Sequence, residues 1–206
     1  MNKWLYYFCV MMLLLGSGCG GDGTQSDGTD RLTIAMIAKS STNPVFLSAR
    51  TGAEAAAKEL SEAHGIEIVI DWRTPPTEDG QIQAQRIAQA VNEGADVILI
   101  SCSDAAKVTG AINDAVDRGV PVMTFDSDAP DSKRFAYYGV DDIKTGALVM
   151  SELADQMNGK GNIAILAGNQ NAPNLRRRVD GVKQEAEKHP DINIVDTFYH
   201  IETPQD

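Results

Sequence analysis

Polar side chains follow several short apolar runs of this sequence, each at the point where the run ends. Residues 39–43, which read Lys-Ser-Ser-Thr-Asn, come directly after the apolar run 32–38, and Ser101 and Asp126 follow similar runs. Ammonium, hydroxyl, amide and carboxylate groups recognise a ligand by hydrogen bonding, and a charge-assisted hydrogen bond contributes on the order of 1.5–3 kcal/mol. This set of groups suits a neutral, hydroxyl-rich small molecule.

The elements that must position these side chains alternate along the chain. Amphipathic patterns with apolar residues at spacings of three and four predict helices between the apolar runs. This alternation predicts an α/β fold with parallel sheets flanked by helices on both faces. Because the carboxyl ends of parallel strands meet at one edge, the polar residues should converge there. Strands are predicted at 32–38, 66–70, 97–100, 120–125, 135–140, 162–166 and 192–198.

The pattern predicts two Rossmann-like lobes. An N-terminal lobe is expected over residues 31–127, and a polar break follows it. We expect residues 128–141 to form the hinge or crossing region and 142–206 to form part of a C-terminal lobe. That second lobe has only two clear strand patterns, so we expect it to be incomplete.

The first thirty residues predict export. Lys3 precedes an apolar run from Trp4 to Leu15, which matches the core of a signal peptide. Small residues that end in Cys19 resemble a bacterial lipoprotein processing site, so residues 1–19 are predicted to be a lipoprotein signal peptide with Cys19 lipidated. An ordinary secretory signal is the alternative. Residues 20–30 read as a flexible tether. The signal peptide and the lipid predict a location in the periplasm or cell envelope, with the protein held at the membrane through a lipid anchor only.

Composition argues against several functional classes. With 29 acidic and 18 basic residues the formal net charge is −11, which disfavours nucleic acid as a partner. Neither a nucleophile-elbow motif nor a phosphate-binding loop is present in the sequence. The three histidines have no metal-ligand spacing. We therefore predict no enzymatic activity, no cofactor and no metal site.

Five segments of the chain carry a resemblance to a known family by their order and spacing. They are Ser40–Phe46, Ile100–Asp104, Pro121–Asp126, Gly139–Asp142 and Arg176–Gly181. Together they resemble the ribose-type periplasmic substrate-binding proteins of ABC transporters. The resemblance covers residues 31–206 and implies the type 1 periplasmic binding protein fold, in which two α/β lobes close on a sugar or similar small molecule. It implies an ABC transporter permease as the partner.

The resemblance also implies which residues bind the ligand. The ring of Phe46 would stack on a sugar face, with core packing as the alternative. The carboxylate of Asp126 would accept hydrogen bonds from sugar hydroxyls, or else from local backbone amides. The implied ligand-binding residues are Asn43, Phe46, Ser101, Asp126, Asp141 and Arg176.

Other positions keep two interpretations. Asn43 and Asp141 precede predicted helices, so each either binds ligand or caps its helix. Arg176 would reach across the cleft, but Arg177 and Arg178 follow it directly, and the sequence leaves open which of the three faces the ligand.

The leading hypothesis is a solute-binding lipoprotein that delivers its ligand to an ABC importer. The alternative is a sensory module of the same fold that signals to a membrane receptor kinase or chemoreceptor. Lys39, Val45 and Ser127 depart from the ribose-type pattern, so the identity of the ligand stays open, ribose above all.

Overall fold

The computed structural model describes residues 30–200 of the 206-residue chain. The predicted signal peptide, lipidation of Cys19 and nearly all of the predicted tether lie outside the described residues, as do residues 201–206. Over residues 30–200, no helix is long and apolar enough to cross a membrane.

The first lobe is built on a five-stranded sheet in which every pair of neighbours is parallel. The strand order is β2-β1-β3-β4-β5. Three helices form the crossovers between the first four strands. The strands are β1 (Arg31–Ile37), β2 (Glu67–Trp72), β3 (Val97–Ile100), β4 (Val122–Phe125) and β5 (Ala136–Tyr138), and the helices are α1 (Pro44–His64), α2 (Gly80–Asn92) and α3 (Ala105–Asp117).

The core of this lobe lies between the central strands and helices α2 and α3. Its strand members alternate along β1, β3 and β4 and so share one face of the sheet, while the residues between them in β3 and β4 are partly buried. Partial burial of the second face explains why these strands read as continuous apolar runs. The register pairs Ile37 with Ile100 and Ile100 with Thr124, which brings the ends of β1, β3 and β4 level. The side chains at the centre of the core include Ile37, Ile87, Ile98, Ile100, Val108, Ile112 and Val122.

Short polar residues start the helices at the carboxyl edge of the sheet. The carboxylates of Asp79 and Asp104 each accept two backbone N–H bonds, at the starts of α2 and α3 respectively. These caps satisfy donors that have no partner inside the helix. At the far end of α1, Gly65 adopts φ +68°, the left-handed conformation that favours glycine.

The second lobe contains a two-stranded parallel sheet and two helices. Its elements are α4 (Asp142–Gln156), β6 (Lys160–Ala167), α5 (Pro173–Ala186) and β7 (Asp191–Tyr199), with β6 paired to β7. Helices α4 and α5 pack at very short range, since a Cβ atom on Gly146 would overlap the carbonyl of Arg178 and one on Gly181 would overlap the carbonyl of Ile143.

The observed architecture confirms the predicted fold class, an α/β protein whose parallel sheets are flanked by helices. Strand β5 extends the first sheet into the segment 128–141 that the sequence predicts to be the crossing region. The chain then passes directly into α4, so the connection between the two sheets runs through residues 139–141.

Candidate functional site

Asp126 occupies an unusual backbone conformation directly after β4. Its φ is +56°, in the left-handed region that non-glycine residues rarely adopt. The Asp126 N–H donates to the Tyr138 carbonyl at 3.0 Å, and the Tyr137 hydroxyl donates to the Asp126 carbonyl at 3.0 Å. Backbone conformations of this kind cost on the order of 1–3 kcal/mol and persist where the surroundings impose them. Two residues of strand β5 therefore hold the backbone of Asp126 in this conformation.

The Asp126 carboxylate collects donors from three parts of the chain. The Ser101 hydroxyl, after β3, donates to Oδ2 at 2.7 Å. Nδ2 of Asn174, on α5, donates to Oδ1 at 3.1 Å. Nζ of Lys39, after β1, lies 3.8 Å from Oδ2. The Asp126 side chain is still 32% exposed, so the carboxylate remains accessible to a solute.

Lys39 brings a buried positive charge to the same place. Its side chain is only 3% exposed, and its Nζ donates to Oδ1 of Asn174 at 3.4 Å. The same Nζ lies 5.9 Å from the centre of the Phe46 ring. A buried ammonium is costly unless charges, hydrogen bonds or aromatic faces compensate it. The buried ammonium of Lys39 is compensated by Asp126, Asn174 and Phe46.

Two amide side chains of the second lobe reach carboxylates of the first. Asn174, in the first turn of α5, contacts Asp126 as described above. Nδ2 of Asn169 donates at 3.1 Å to Oε2 of Glu78, in the loop before α2. The two lobes therefore meet through polar contacts at the carboxyl ends of the strands, where a ligand of an open α/β sheet is expected.

Of the six ligand-binding residues implied by the sequence, the structure brings three into this cluster. Ser101 and Asp126 are hydrogen-bonded to each other. Phe46 is 4% exposed and presents its ring to Lys39, so it takes part in packing and borders the polar cluster at once.

Asn43 and Asp141 both cap helices in the structure. Oδ1 of Asn43 accepts from the N–H of Val45 at 3.0 Å, at the start of α1. Oδ1 of Asp141 accepts from the N–H of Lys144 at 3.2 Å, and this hydrogen bond holds the pKa of the exposed Asp141 carboxyl below its ordinary value. These contacts are those of the capping interpretation, and they leave the other carboxylate oxygen of Asp141 and the amide of Asn43 to other partners.

Of the three consecutive arginines, Arg178 is the one that borders Asp126. Arg176 and Arg177 are exposed. Arg178 lines a cavity of about 260 Å³ together with Asp126, and its Nε donates at 2.9 Å to Oδ1 of the buried Asp142. Burial raises the pKa of Asp142 above its ordinary value, although the charge of Arg178 opposes the rise.

A larger cavity of about 370 Å³ lies within the second lobe, between α4, β6 and α5. Thr145 and Arg178 supply the polar side chains of its lining, and the rest is apolar. Such a lining lacks the hydrogen-bonding groups that a hydroxyl-rich ligand needs, so the cluster around Asp126 is the better candidate site.

The sequence places Lys39 at the end of the first strand but assigns it no binding role, and it does not single out Asn174, although both residues contact Asp126. Asn174 lies in the first turn of α5, after the loop that follows β6. Applying to β6 the rule that was applied to the first-lobe strands would have indicated Asn169 and Asn174.

The chemistry available to this cluster is hydrogen bonding and charge. Over residues 30–200, no group of three histidine, cysteine or carboxylate side chains is placed to hold a metal ion. Cys102, the nearest thiol, is fully buried, and burial raises its pKa to about 12, so it is protonated at neutral pH.

Comparisons with known proteins find similarity to sugar-binding proteins. The ribose import binding protein of Bacillus subtilis is 25% identical over 194 residues, which cover 91% of this chain and 61% of that protein. An ABC transporter solute-binding protein from Burkholderia graminis, solved in complex with D-arabinose, is 31% identical with a TM-score of 0.77, covering 84% of this chain and 57% of that one. The fructose-binding periplasmic domain of a hybrid two-component system is 26% identical with a TM-score of 0.72, covering 82% and 54%.

The chain spans between 49% and 61% of the length of these proteins and of a xylitol-binding protein of Mycolicibacterium smegmatis, to which it is 27% identical over 180 residues. The periplasmic binding protein domain family matches residues 34–206, which is most of the chain. The protein therefore belongs to the periplasmic binding protein domain family and is of the ribose type, whose members bind sugars outside the cytoplasm.

Proposed function

We propose that this protein captures a sugar or sugar-like molecule between its two lobes and delivers it to an ABC importer. The observation that carries the proposal is the Asp126 carboxylate, which is partly exposed at a strand end and faces Asn174 of the opposite lobe. Carboxylates bind sugar hydroxyls as hydrogen-bond acceptors, and amides both donate and accept. A ligand that shares or displaces the 3.1 Å hydrogen bond between them would touch both lobes.

The proposed binding residues lie in the first lobe, in the second lobe and at the rim of the cleft. Asp126 accepts from ligand hydroxyls, Ser101 orients that carboxylate, and Phe46 supplies an apolar ring edge. Arg176 or Arg178 donates from the second lobe. Asn43 and Asp141 contribute at the rim in addition to capping their helices.

Delivery would depend on closure of the lobes. A ligand that contacts both lobes stabilises the closed form by its differential affinity for that form. Residues 139–141, which connect β5 to α4, are the natural place for the hinge. The closed form is then what a permease recognises, and lipidation of Cys19 would keep the protein at the membrane in the periplasm or cell envelope.

A sensory role is the second candidate. It is favoured by the similarity to a fructose-binding periplasmic domain of a hybrid two-component system. In that case the closed form would contact a membrane receptor kinase or chemoreceptor. Deleting the gene separates the two roles, since loss of radiolabelled sugar uptake indicates transport, and loss of sugar-induced gene expression with normal uptake indicates sensing.

The direct test is a thermal-shift and calorimetric screen of the purified protein with pentoses, hexoses and polyols. A ligand at one hundred times its Kd stabilises a folded protein by about 2.7 kcal/mol, which corresponds to roughly 5–10 °C in Tm for a chain of this size. Asp126→Ala should abolish the shift, whereas Asp131→Ala, at an exposed aspartate in the same loop, should preserve it. Failure of every sugar and polyol to stabilise the protein would defeat the assignment.

A further inference from the structure

Gln83 is a fully buried polar side chain that uses its whole amide group. It lies in the first turn of α2 and has 0% exposure. Its Nε2 donates to the carbonyl of Ala38 at 3.0 Å and to the carbonyl of Ser101 at 2.7 Å. Its Oε1 accepts from the N–H of Ser103 at 2.8 Å. One side chain therefore bridges the segments that follow β1 and β3.

These bonds lie where the two strands separate. The N–H of Ser101 still donates to the carbonyl of Ile37 at 3.0 Å, as in a parallel ladder. The N–H of Ala38 turns instead to the hydroxyl of Thr74 at 2.7 Å. The carbonyls of Ala38 and Ser101 then face Gln83 in place of a neighbouring strand, and a buried carbonyl without a partner would be costly.

The bridged residues adjoin the candidate ligand site directly. Ala38 precedes Lys39, whose ammonium lies near Asp126, and Ser101 carries the hydroxyl that donates to the same carboxylate. The spacing between the two backbone segments therefore sets the positions of both groups relative to Asp126. Because Gln83 is inaccessible, it can act on a ligand only through these neighbours.

We propose that Gln83 is a positioning residue for the sugar site, which fixes the separation of the Lys39 and Ser101 segments. This inference rests on the proposed function for its consequence in binding. The local part, that the Gln83 amide orders both segments, holds independently of which ligand is bound.

The test compares Gln83→Met with Ile87→Val in the full-length protein. Methionine preserves length and volume but removes all three hydrogen bonds. Ile87 lies one turn further along α2, is fully buried in the same core, and has no polar atom in its side chain with which to bind either segment. It serves as a control for general destabilisation. Gln83→Glu is the second variant, because its carboxyl keeps the acceptor for Ser103 and, in the neutral form that burial favours, donates to only one of the two carbonyls.

Two measurements are made at a temperature where all variants are folded. Calorimetry with D-ribose, D-arabinose and D-fructose should show Gln83→Met binding roughly tenfold more weakly than Ile87→Val, the equivalent of one good hydrogen bond. Hydrogen exchange should show faster exchange at Ser103 and in residues 38–43 in Gln83→Met, but no such local change in Ile87→Val.

The two proposals fail in different ways. If the unmodified protein binds no sugar or polyol of the screen, the sugar assignment is in error, and hydrogen exchange alone still decides the role of Gln83. If Gln83→Met binds a sugar as tightly as Ile87→Val and its exchange around Lys39 and Ser103 is unchanged, Gln83 is a core residue and the positioning role is overturned.

Discussion

Asn174 donates a hydrogen bond of 3.1 Å from its Nδ2 to Oδ1 of Asp126, so a side chain of the second lobe occupies one oxygen of the carboxylate in the first. The Ser101 hydroxyl holds the other oxygen at 2.7 Å. A ligand hydroxyl that enters between the lobes must share Asp126 with Asn174 or displace it. Through this contact, the distance between the two lobes and the binding of a ligand at Asp126 depend on each other.

Asn174→Ala should weaken sugar binding, because the amide is placed to hydrogen-bond a ligand hydroxyl that displaces it from Asp126. The loss of a hydrogen bond between uncharged groups costs roughly 0.5–1.5 kcal/mol, or about twofold to tenfold in Kd. Calorimetry with the best sugar of the screen measures the effect. Asn171→Ala, at an exposed residue three positions earlier, is the matched control. Equal affinities for the two variants would remove Asn174 from the site.

Lys39→Met is expected to separate stability from binding. Desolvation of a buried ammonium opposes folding, and Asp126 keeps Ser101 and Asn174 as donors when Lys39 is replaced. The Tm of the unliganded protein should thus stay the same or rise, while sugar affinity falls about tenfold because the buried ammonium no longer helps to hold the Asp126 carboxylate in place. Differential scanning calorimetry and titration test this, with the exposed Lys58→Met as control. A large drop in Tm would show that Lys39 is mainly structural.

The site also shows which features a sequence can predict. Ser101 and Asp126 each follow a strand of one sheet, and the parallel register that joins β3 to β4 brings them together, so a rule about strand ends is sufficient. The contact of Asn174 with Asp126 spans 48 residues and two lobes. Local periodicity contains no information about how two lobes approach each other.

Helix rotation explains why the arginines could not be resolved. Successive residues of a helix are separated by about 100° around its axis, so Arg176, Arg177 and Arg178 face three directions. The direction of each depends on how α5 packs against α4. Strand β5 poses a similar problem, because its apolar pattern predicts a strand at 135–140 but does not specify that it joins β4 of the first sheet.

The Asp128–Arg134 pair should make stability depend on acid pH. Burial alone would raise the pKa of Asp128, but hydrogen bonds from Arg134 and Thr124 outweigh burial and lower the pKa below its ordinary value of 3.8. The unfolded chain then binds this proton more tightly than the folded one. The stabilisation is complete above the unfolded pKa and is lost as the pH falls through the lowered folded pKa.

Asp128→Asn should accordingly destabilise the protein at pH 7 by roughly 1.5–3 kcal/mol, and the deficit should shrink below about pH 4. Urea unfolding of both proteins at pH 7 and at pH 3 gives the two differences. Asp131→Asn, at an exposed aspartate, should have little effect at either pH. A deficit that is the same at both values would contradict the role of the ionised pair.

Cys102 should resist thiol reagents while the protein is folded. Burial raises its pKa to about 12, so almost no thiolate is present at pH 8, and the side chain is inaccessible as well. An unfolded cysteine has a pKa near 8.5 and reacts readily. Peptide mapping after treatment with iodoacetamide, with and without urea, distinguishes Cys102 from Cys9 and Cys19. Rapid labelling of Cys102 without denaturant would show that the core around β3 opens easily.

Substitutions at the α4–α5 contact should reverse the usual effect of replacing glycine by alanine in a helix. Alanine is ordinarily more favourable than glycine there by about 0.5–1 kcal/mol. A Cβ on Gly146 or Gly181 would instead overlap a backbone carbonyl of the other helix, which cannot move without separating the pair. Gly181→Ala should therefore destabilise the protein by roughly 1–3 kcal/mol, the usual cost of overpacking.

Gly110→Ala is the matched control, because Gly110 lies inside α3 and a Cβ there would meet nothing within 4 Å. It should stabilise the protein slightly, and urea unfolding gives both signs. Since α5 also carries Asn174 and Arg178, a displaced helix should weaken sugar binding in Gly181→Ala while Gly110→Ala binds normally. If Gly181→Ala is as stable as Gly110→Ala, the two helices are not held at the distance that positions Asn174 against Asp126.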